Sequence, residues 1–213
     1  IREREPDSSG GKNRQYKNLA DANEYYNFEF FPRRKDKPEP RHIFTSTEKL
    51  RELIAFYQYS SIANFEPWLF KNDSPLATAT ISNIEIDFSR PGYEIGWQYD
   101  AISNSYKRSQ YFEPHIDEQS KQQITAKTVA IQIVDVTPVP NDPLLQVNID
   151  LESGGRAIVF QDGQAIQASW RKESGRSKFY DASNQEIKFN RGMLWLELVP
   201  KDKEQNLRWN VDN

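Results

Sequence analysis

The sequence predicts an α+β, β-rich protein: a remnant α/β amino-terminal portion followed by an antiparallel β-sandwich or barrel-like domain. Three observations lead there. Aromatic side chains are abundant, with 12 Phe, 10 Tyr and 5 Trp against one Met, and large planar groups suit half-buried strand faces. The clearest helical stripe, Leu50, Leu53, Ile54 and Tyr57, has the i, i+3, i+4, i+7 spacing. From Leu76 onward apolar residues instead recur at period two.

Composition bounds the rest. With 28 Lys and Arg against 31 Asp and Glu, the formal charge of the 213-residue chain is -3, which excludes a general electrostatic binder of nucleic acid. No stretch of 18 apolar residues is present, so no span of a membrane by a helix is expected. Cysteine is absent, so disulfides contribute nothing and the redox compartment stays open. The first residue is Ile1 rather than Met, with no charged-then-apolar leader after it, which reads as a start that was processed or chosen.

Along the chain, residues 1 to 16 are charged and carry the turn-like Ser8-Ser9-Gly10-Gly11. Tyr26, Phe28 and Phe30 alternate with polar residues and predict a short strand. The segment from Pro32 to Pro40 holds three prolines among charges and reads as a surface loop. Thr45 and Glu48 form a candidate capping box for the helix that follows. Its signal fades near Ser60, and Asn72-Asp73-Ser74-Pro75 marks a boundary. Two domains are therefore expected, 1–74 and 75–213.

In the second, Ile81, Ile84, Ile86 and Phe88 predict one strand, with Ser82 and Asn83 disturbing the alternation. Ile95, Trp97 and Tyr99 predict another. A turn at Ala101 to Asn104 returns the chain through Tyr106, Arg108 and Gln110 on one face. Val129, Ile131 and Ile133 are read as inward, and Val147, Ile149 and Leu151 as a further strand. Asp162-Gly163 between Ala157–Phe160 and Ala165–Trp170 is the strongest hairpin signal, because Asp-Gly tolerates two positive φ angles. Asn190-Arg191-Gly192, between Ile187–Phe189 and Leu194–Val199, predicts a second hairpin by the same logic. Trp170 and Trp195 are read as core anchors, each contributing about 1.5–3 kcal/mol by transfer from water.

Six residues are candidates for a ligand site: Tyr99, Asp100, Tyr106, Arg108, His115 and Asp117. In His115-x-Asp117 on a strand, both side chains share a face, and a carboxylate beside an imidazole fixes its tautomer for acid-base work; the bland alternative is that they cap a loop. Arg108 either pairs with Asp100 across the hairpin or presents its planar fork to an anion. Tyr99, Tyr106, Tyr111 and Trp97 offer rings for a sugar, although strand aromatics more often pack. Lys172, Arg176 and Lys178 form a basic loop with no helix behind it to make a phosphate cradle. No metal is expected, since the only other histidine is the distant His42 and there is no Cys. No cofactor is expected, and neither a G-x-S-x-G elbow nor a nucleotide-binding glycine fingerprint is present.

An ordered set of motifs adds to this: Trp97-Gln98-Tyr99-Asp100, Tyr106-Lys107-Arg108, Pro114-His115-Ile116-Asp117, Thr128-Val129-Ala130-Ile131-Gln132, Gly154-Gly155-Arg156-Ala157, Gln161-Asp162-Gly163-Gln164, Trp170-Arg171-Lys172 and Gly192 through Pro200. Together with Ser8–Gly11 and Pro40–Ser46, they make residues 8 to 200 resemble the YerB-type family of bacterial lipoproteins, whose domains are of unknown function. Arg41 and His42 stand where that family more often shows His and Asn. The resemblance implies an extracytoplasmic location, membrane-anchored or secreted, with the lipid anchor and much of an amino-terminal domain preceding Ile1. It implies no catalytic residues. The expected function is a noncatalytic module binding a wall, glycan or envelope-protein partner. The alternatives are a hydrolase or transferase of envelope polymers using His115 and Asp117, and a scaffold that recruits a protein by strand addition.

Overall fold

The structure, a computed structural model, describes residues 24, 27–39, 42–60, 66–88, 91–141, 143 and 146–210. The chain divides into two compact units, 1–64 and 65–213. No helix among the described residues is long and apolar enough to cross a membrane.

In the first unit α1 spans Thr47–Phe56. Ser46, not Thr45, caps it: the Ser46 hydroxyl accepts from the Lys49 amide at 3.2 Å, satisfying a first-turn donor that has no partner within the helix. Thr45 instead donates to the Phe30 carbonyl. Leu53 alone of the predicted stripe is fully buried. The strand expected at 26–30 does not form where it is described. Phe28 to Phe30 make a turn with Phe28 exposed and Phe30 buried, the Phe30 ring lies 5.8 Å from that of Phe56, and Asn27 accepts from the Tyr57 hydroxyl at 2.7 Å. Tyr26 and the Ser8–Gly11 element lie outside the described residues.

The second unit runs β1 (Phe70–Lys71), β2 (Asn83–Asp87), β3 (Glu94–Asp100), β4 (Ser105–Gln110), β5 (Glu113–Pro114), β6 (Thr125–Ala126), β7 (Thr128–Val134), β8 (Val136–Pro138), β9 (Val147–Ile149), β10 (Gly155–Gln161), β11 (Gln164–Glu173), β12 (Arg176–Tyr180), β13 (Phe189–Asn190), β14 (Leu194–Pro200), a 3₁₀ turn (Lys201–Asn206) and β15 (Leu207–Asn210). Residues 66–74 belong here rather than to the first domain. Phe70 and Lys71 pair in parallel with Phe189 and Asn190, and Trp68 packs edge-on against Phe189.

Two sheets make the body, one ordered β12-β11-β10-β7-β14 and the other β15-β2-β3-β4-β5, with β6 also on β4. Their facing sides share a core in which Ile84, Ile86, Ile95, Trp97 and Tyr106 meet Val129, Ile131, Ile158, Phe160 and Val199. A second core, with Ala130, Val134, Val159, Trp170, Phe179 and Phe189, covers the far side of the first sheet. That explains β7: it was expected to bury alternate residues, yet all seven are buried, because both its faces are covered.

The Asp162-Gly163 hairpin forms as expected, with φ of 57° and 75° at its two turn residues. The second expected hairpin does not. β14 lies parallel to β7, with Trp195 opposite Val129, so the first sheet is mixed and Asn190-Arg191-Gly192 links strands of different sheets. Val147 and Ile149 sit in a two-stranded ribbon with β8 and stay exposed. Trp170 is buried, while Trp195 packs only partly against the inter-sheet core.

Candidate functional site

β3 and β4 pair so that Trp97 faces Arg108 and Asp100 faces Ser105. Period-two geometry then turns Trp97, Tyr99, Tyr106 and Arg108 toward the inter-sheet core, and Asp100 and Lys107 to the outer face. Asp100 accordingly pairs with Lys107 at 2.8 Å, which holds its carboxyl below the usual range; the cross-hairpin Asp100–Arg108 pair does not form. Tyr99 donates to Asn104 at 2.9 Å and its ring leans on Tyr106 at 5.1 Å. Tyr106 is fully buried, and burial raises its hydroxyl well above the ordinary tyrosine value.

Arg108 is the centre of a different constellation, one that only the sheet pairing assembles. Its guanidinium lies over the Trp195 ring at 4.7 Å and near that of Trp97 at 5.7 Å. Nε approaches Glu197 Oε1 at 4.0 Å, and that oxygen accepts from the Trp97 indole at 3.2 Å. Burial raises the Glu197 carboxyl, against the pull of Trp97 and Arg108, and burial lowers Arg108. A guanidinium N–H of Arg108 meets His115 Nδ1. Burial, then repulsion by Arg108, lowers the His115 pKa, and because a guanidinium only donates, Nδ1 accepts. Asp117 does not join this group. Its Oδ1 accepts from the Ser120 amide at 2.7 Å, closing its own exposed turn, and those bonds hold its carboxyl low. Of the six candidate residues the fold thus brings together Arg108 with His115, and Tyr99 with Tyr106, leaving Asp100 and Asp117 apart.

A second polar cluster centres on Asp162, which the sequence showed only as a turn former. Burial raises its carboxyl, but hydrogen bonds from Lys71 (2.5 Å), Asn104 (2.9 Å), Asn190 (2.7 Å) and the Ser74 amide (3.1 Å) outweigh burial and leave it below 3.8. A folded-state pKa below the unfolded one stabilises the fold fully above pH 3.8, and that contribution is lost as pH falls through the folded value. An Asp162→Asn chain, which keeps a residue tolerant of positive φ, is expected to be less stable at neutral pH and to show a flatter acid limb when urea midpoints are followed below pH 4.

A groove of about 410 Å³ lies on neither cluster but on the outer face of the second sheet, bordered by Glu85, Glu94, Gln98, Ser109, Arg208 and Phe112. Gly96 and Ser109 meet on its floor, where the Ser109 hydroxyl occupies the space a Cβ on Gly96 would take. At its rim β4 turns into β5 through Tyr111 and Phe112, with φ of 52° and 64°. A two-residue turn with both φ positive is normally built from Asn and Gly. Here it carries two aromatics, 58% and 82% exposed.

The family model for the C-terminal domain of a protein of unknown function (DUF3048) matches residues 84–196, more than half of the chain. The chain belongs to the DUF3048 C-terminal family. The matched segment begins in β2 and ends in β14, so it contains Arg108, His115, the aromatic turn and most of the groove. Among curated proteins the DUF3048 chain is 24% identical over 166 residues to "Putative lipoprotein YerB" of Bacillus subtilis, covering 76% of this chain and 48% of that one. The crystal structure of the Bacillus subtilis YerB protein superposes with a TM-score of 0.72 at 21% identity, over 85% of this chain and 60% of that one. The chain therefore spans about half the length of that curated relative. The DUF3048 fold, strand-rich with curled sheets, is shared with YerB.

Proposed function

We propose that this DUF3048 domain is a noncatalytic binding module, extracytoplasmic like a lipoprotein, whose outer groove holds a neutral glycan of the cell envelope. The observation that carries the reading is the Tyr111-Phe112 turn beside the groove. Two bulky residues held at positive φ cost about 1–3 kcal/mol each, and such strain persists where the exposed side chains are put to use. The Phe112 ring offers a flat apolar face to a pyranose. Glu85, Glu94, Gln98 and Ser109 supply donors and acceptors that suit hydroxyls. The carboxylates argue against a phosphate-rich polymer. The relative's name as a lipoprotein supports the address. For acid-base chemistry, by contrast, His115 lacks the carboxylate partner that Asp117 was to provide.

Calorimetric titration of the whole chain with defined cell-wall glycan fragments tests this. Phe112→Ala is expected to weaken binding at least about tenfold, as loss of an aromatic anchor does, with the urea midpoint unchanged. Tyr111→Asn with Phe112→Gly is expected to abolish binding while stabilising the fold by about 1 kcal/mol or more through relief of the turn. No binding by the unaltered chain, or equal binding by Phe112→Ala, overturns the reading.

A further inference from the structure

Lys71 and Asn190 are direct partners across the parallel β1–β13 pair. Lys71 Nζ lies 2.6 Å from Asn190 Oδ1 and 2.5 Å from Asp162 Oδ2, while Asp162 Oδ1 accepts from Asn190 Nδ2 at 2.7 Å. An amine, a carboxamide and a carboxyl group therefore close a triangle of hydrogen bonds. Asn104 holds the same Asp162 oxygen at 2.9 Å and the Ser74 amide holds it at 3.1 Å, so the carboxyl group is fixed in direction. Asn190 is fully buried, and the Asp162 side chain is 2% exposed. The neighbouring Phe189 ring packs against Trp68 and Phe179, each at 5.7 Å. Water, the competing nucleophile at a carboxamide, is kept from the amide carbon, and a nucleophile held in contact with its target carries a high effective concentration.

We propose that Lys71 and Asn190 join in an intramolecular isopeptide bond, with the Asp162 carboxylate holding both groups in place. The Lys71 ammonium, whose side chain is 29% exposed, gives one proton to solvent, leaving a neutral amine that the Asp162 carboxylate orients. The amine lone pair attacks Asn190 Cγ, forming the Nζ–Cγ bond. One of the two remaining Nζ protons moves to the Asn190 Nδ2, the Cγ–Nδ2 bond breaks, and ammonia leaves. Ammonia takes up a proton from solvent and departs as ammonium. Charge and atoms balance, and nothing is oxidised or reduced. The bond would tie β1, at the start of the second unit, to β13 near its end. This activity is independent of the groove and of whatever the groove binds.

The test is the intact mass of the purified full chain, followed by proteolysis and fragment sequencing. The unaltered chain is expected to be lighter than its sequence by one ammonia and to yield one branched peptide joining Lys71 to Asn190. Lys71→Arg, Asn190→Ala and Asp162→Asn chains are expected to keep full mass. The unaltered chain decides the matter whether or not every variant folds. Full mass after long incubation at mildly alkaline pH overturns the proposal. So does ammonia loss without a branched peptide, the signature of a cyclised asparagine, and so does loss of water with Lys71 joined to Asp162.

Discussion

Replacing Trp170 by Ala is expected to cost about 3–5 kcal/mol of stability, the range for emptying a large buried aromatic site. Trp170 is 2% exposed in the core beneath the first sheet, and its indole N–H donates to the Ile133 carbonyl at 2.8 Å. That carbonyl lies one residue beyond the last β7 position paired with β10, Gln132 opposite Ala157, so the indole takes over where the ladder stops. Gly155 makes the crossing possible: a Cβ there would stand 3.0 Å from the indole nitrogen and 3.1 Å from the Ile133 oxygen. Trp170→Phe separates the two contributions, since it keeps most of the ring volume and loses only the hydrogen bond, at about 1–2 kcal/mol. Urea midpoints of both variants measure this. A Trp170→Ala shift no larger than that of Trp170→Phe would show that the ring's packing counts for little.

Removing Glu197 is the second large effect. Its side chain and that of Arg108 are 10% and 7% exposed, and an Arg left buried without its carboxylate costs about 3–5 kcal/mol. Glu197→Leu alone is therefore expected to destabilise strongly. Arg108→Met with Glu197→Leu is expected to recover most of the loss, because two apolar residues of similar volume carry no desolvation penalty. The recovery, read from denaturant unfolding of the two single variants and the double, is the coupling between the pair. Additive losses would mean that each side chain is held by the indoles rather than by the other.

Much of the fold was legible because local chemistry and global pairing agree. Asp162-Gly163 has the residues its turn requires, and the alternation of Ile84, Ile86, Ile95 and Trp97 follows a single buried face. Where they disagree, local pattern misleads. The alternation of Tyr26, Phe28 and Phe30 resembles a strand, yet Phe30 is buried beside α1 by a turn. Asn190-Arg191-Gly192 has hairpin residues, yet burial of Trp195, Glu197 and Val199 against the other sheet places β14 alongside β7. The β4–β5 turn was invisible for the opposite reason, since Tyr111-Phe112 contains none of the residues that mark such turns. The site was legible in its types and not in its partners. Arg108 was singled out, but Glu197 lies 89 residues further on, and nothing short of the β7–β14 register brings the two together.

The positions of β14 and β15 bear on how the chain acquires its shape during synthesis. One borders β7 and the other borders β2, so each sheet receives an outer strand only when residues 194–210 have left the ribosome. Until then β7 and β2 offer open hydrogen-bonding rows to any passing polypeptide. A nascent DUF3048 domain therefore has little to gain from early collapse, and a stop codon placed ahead of Leu194 would release a sticky, unfinished product rather than a smaller working one.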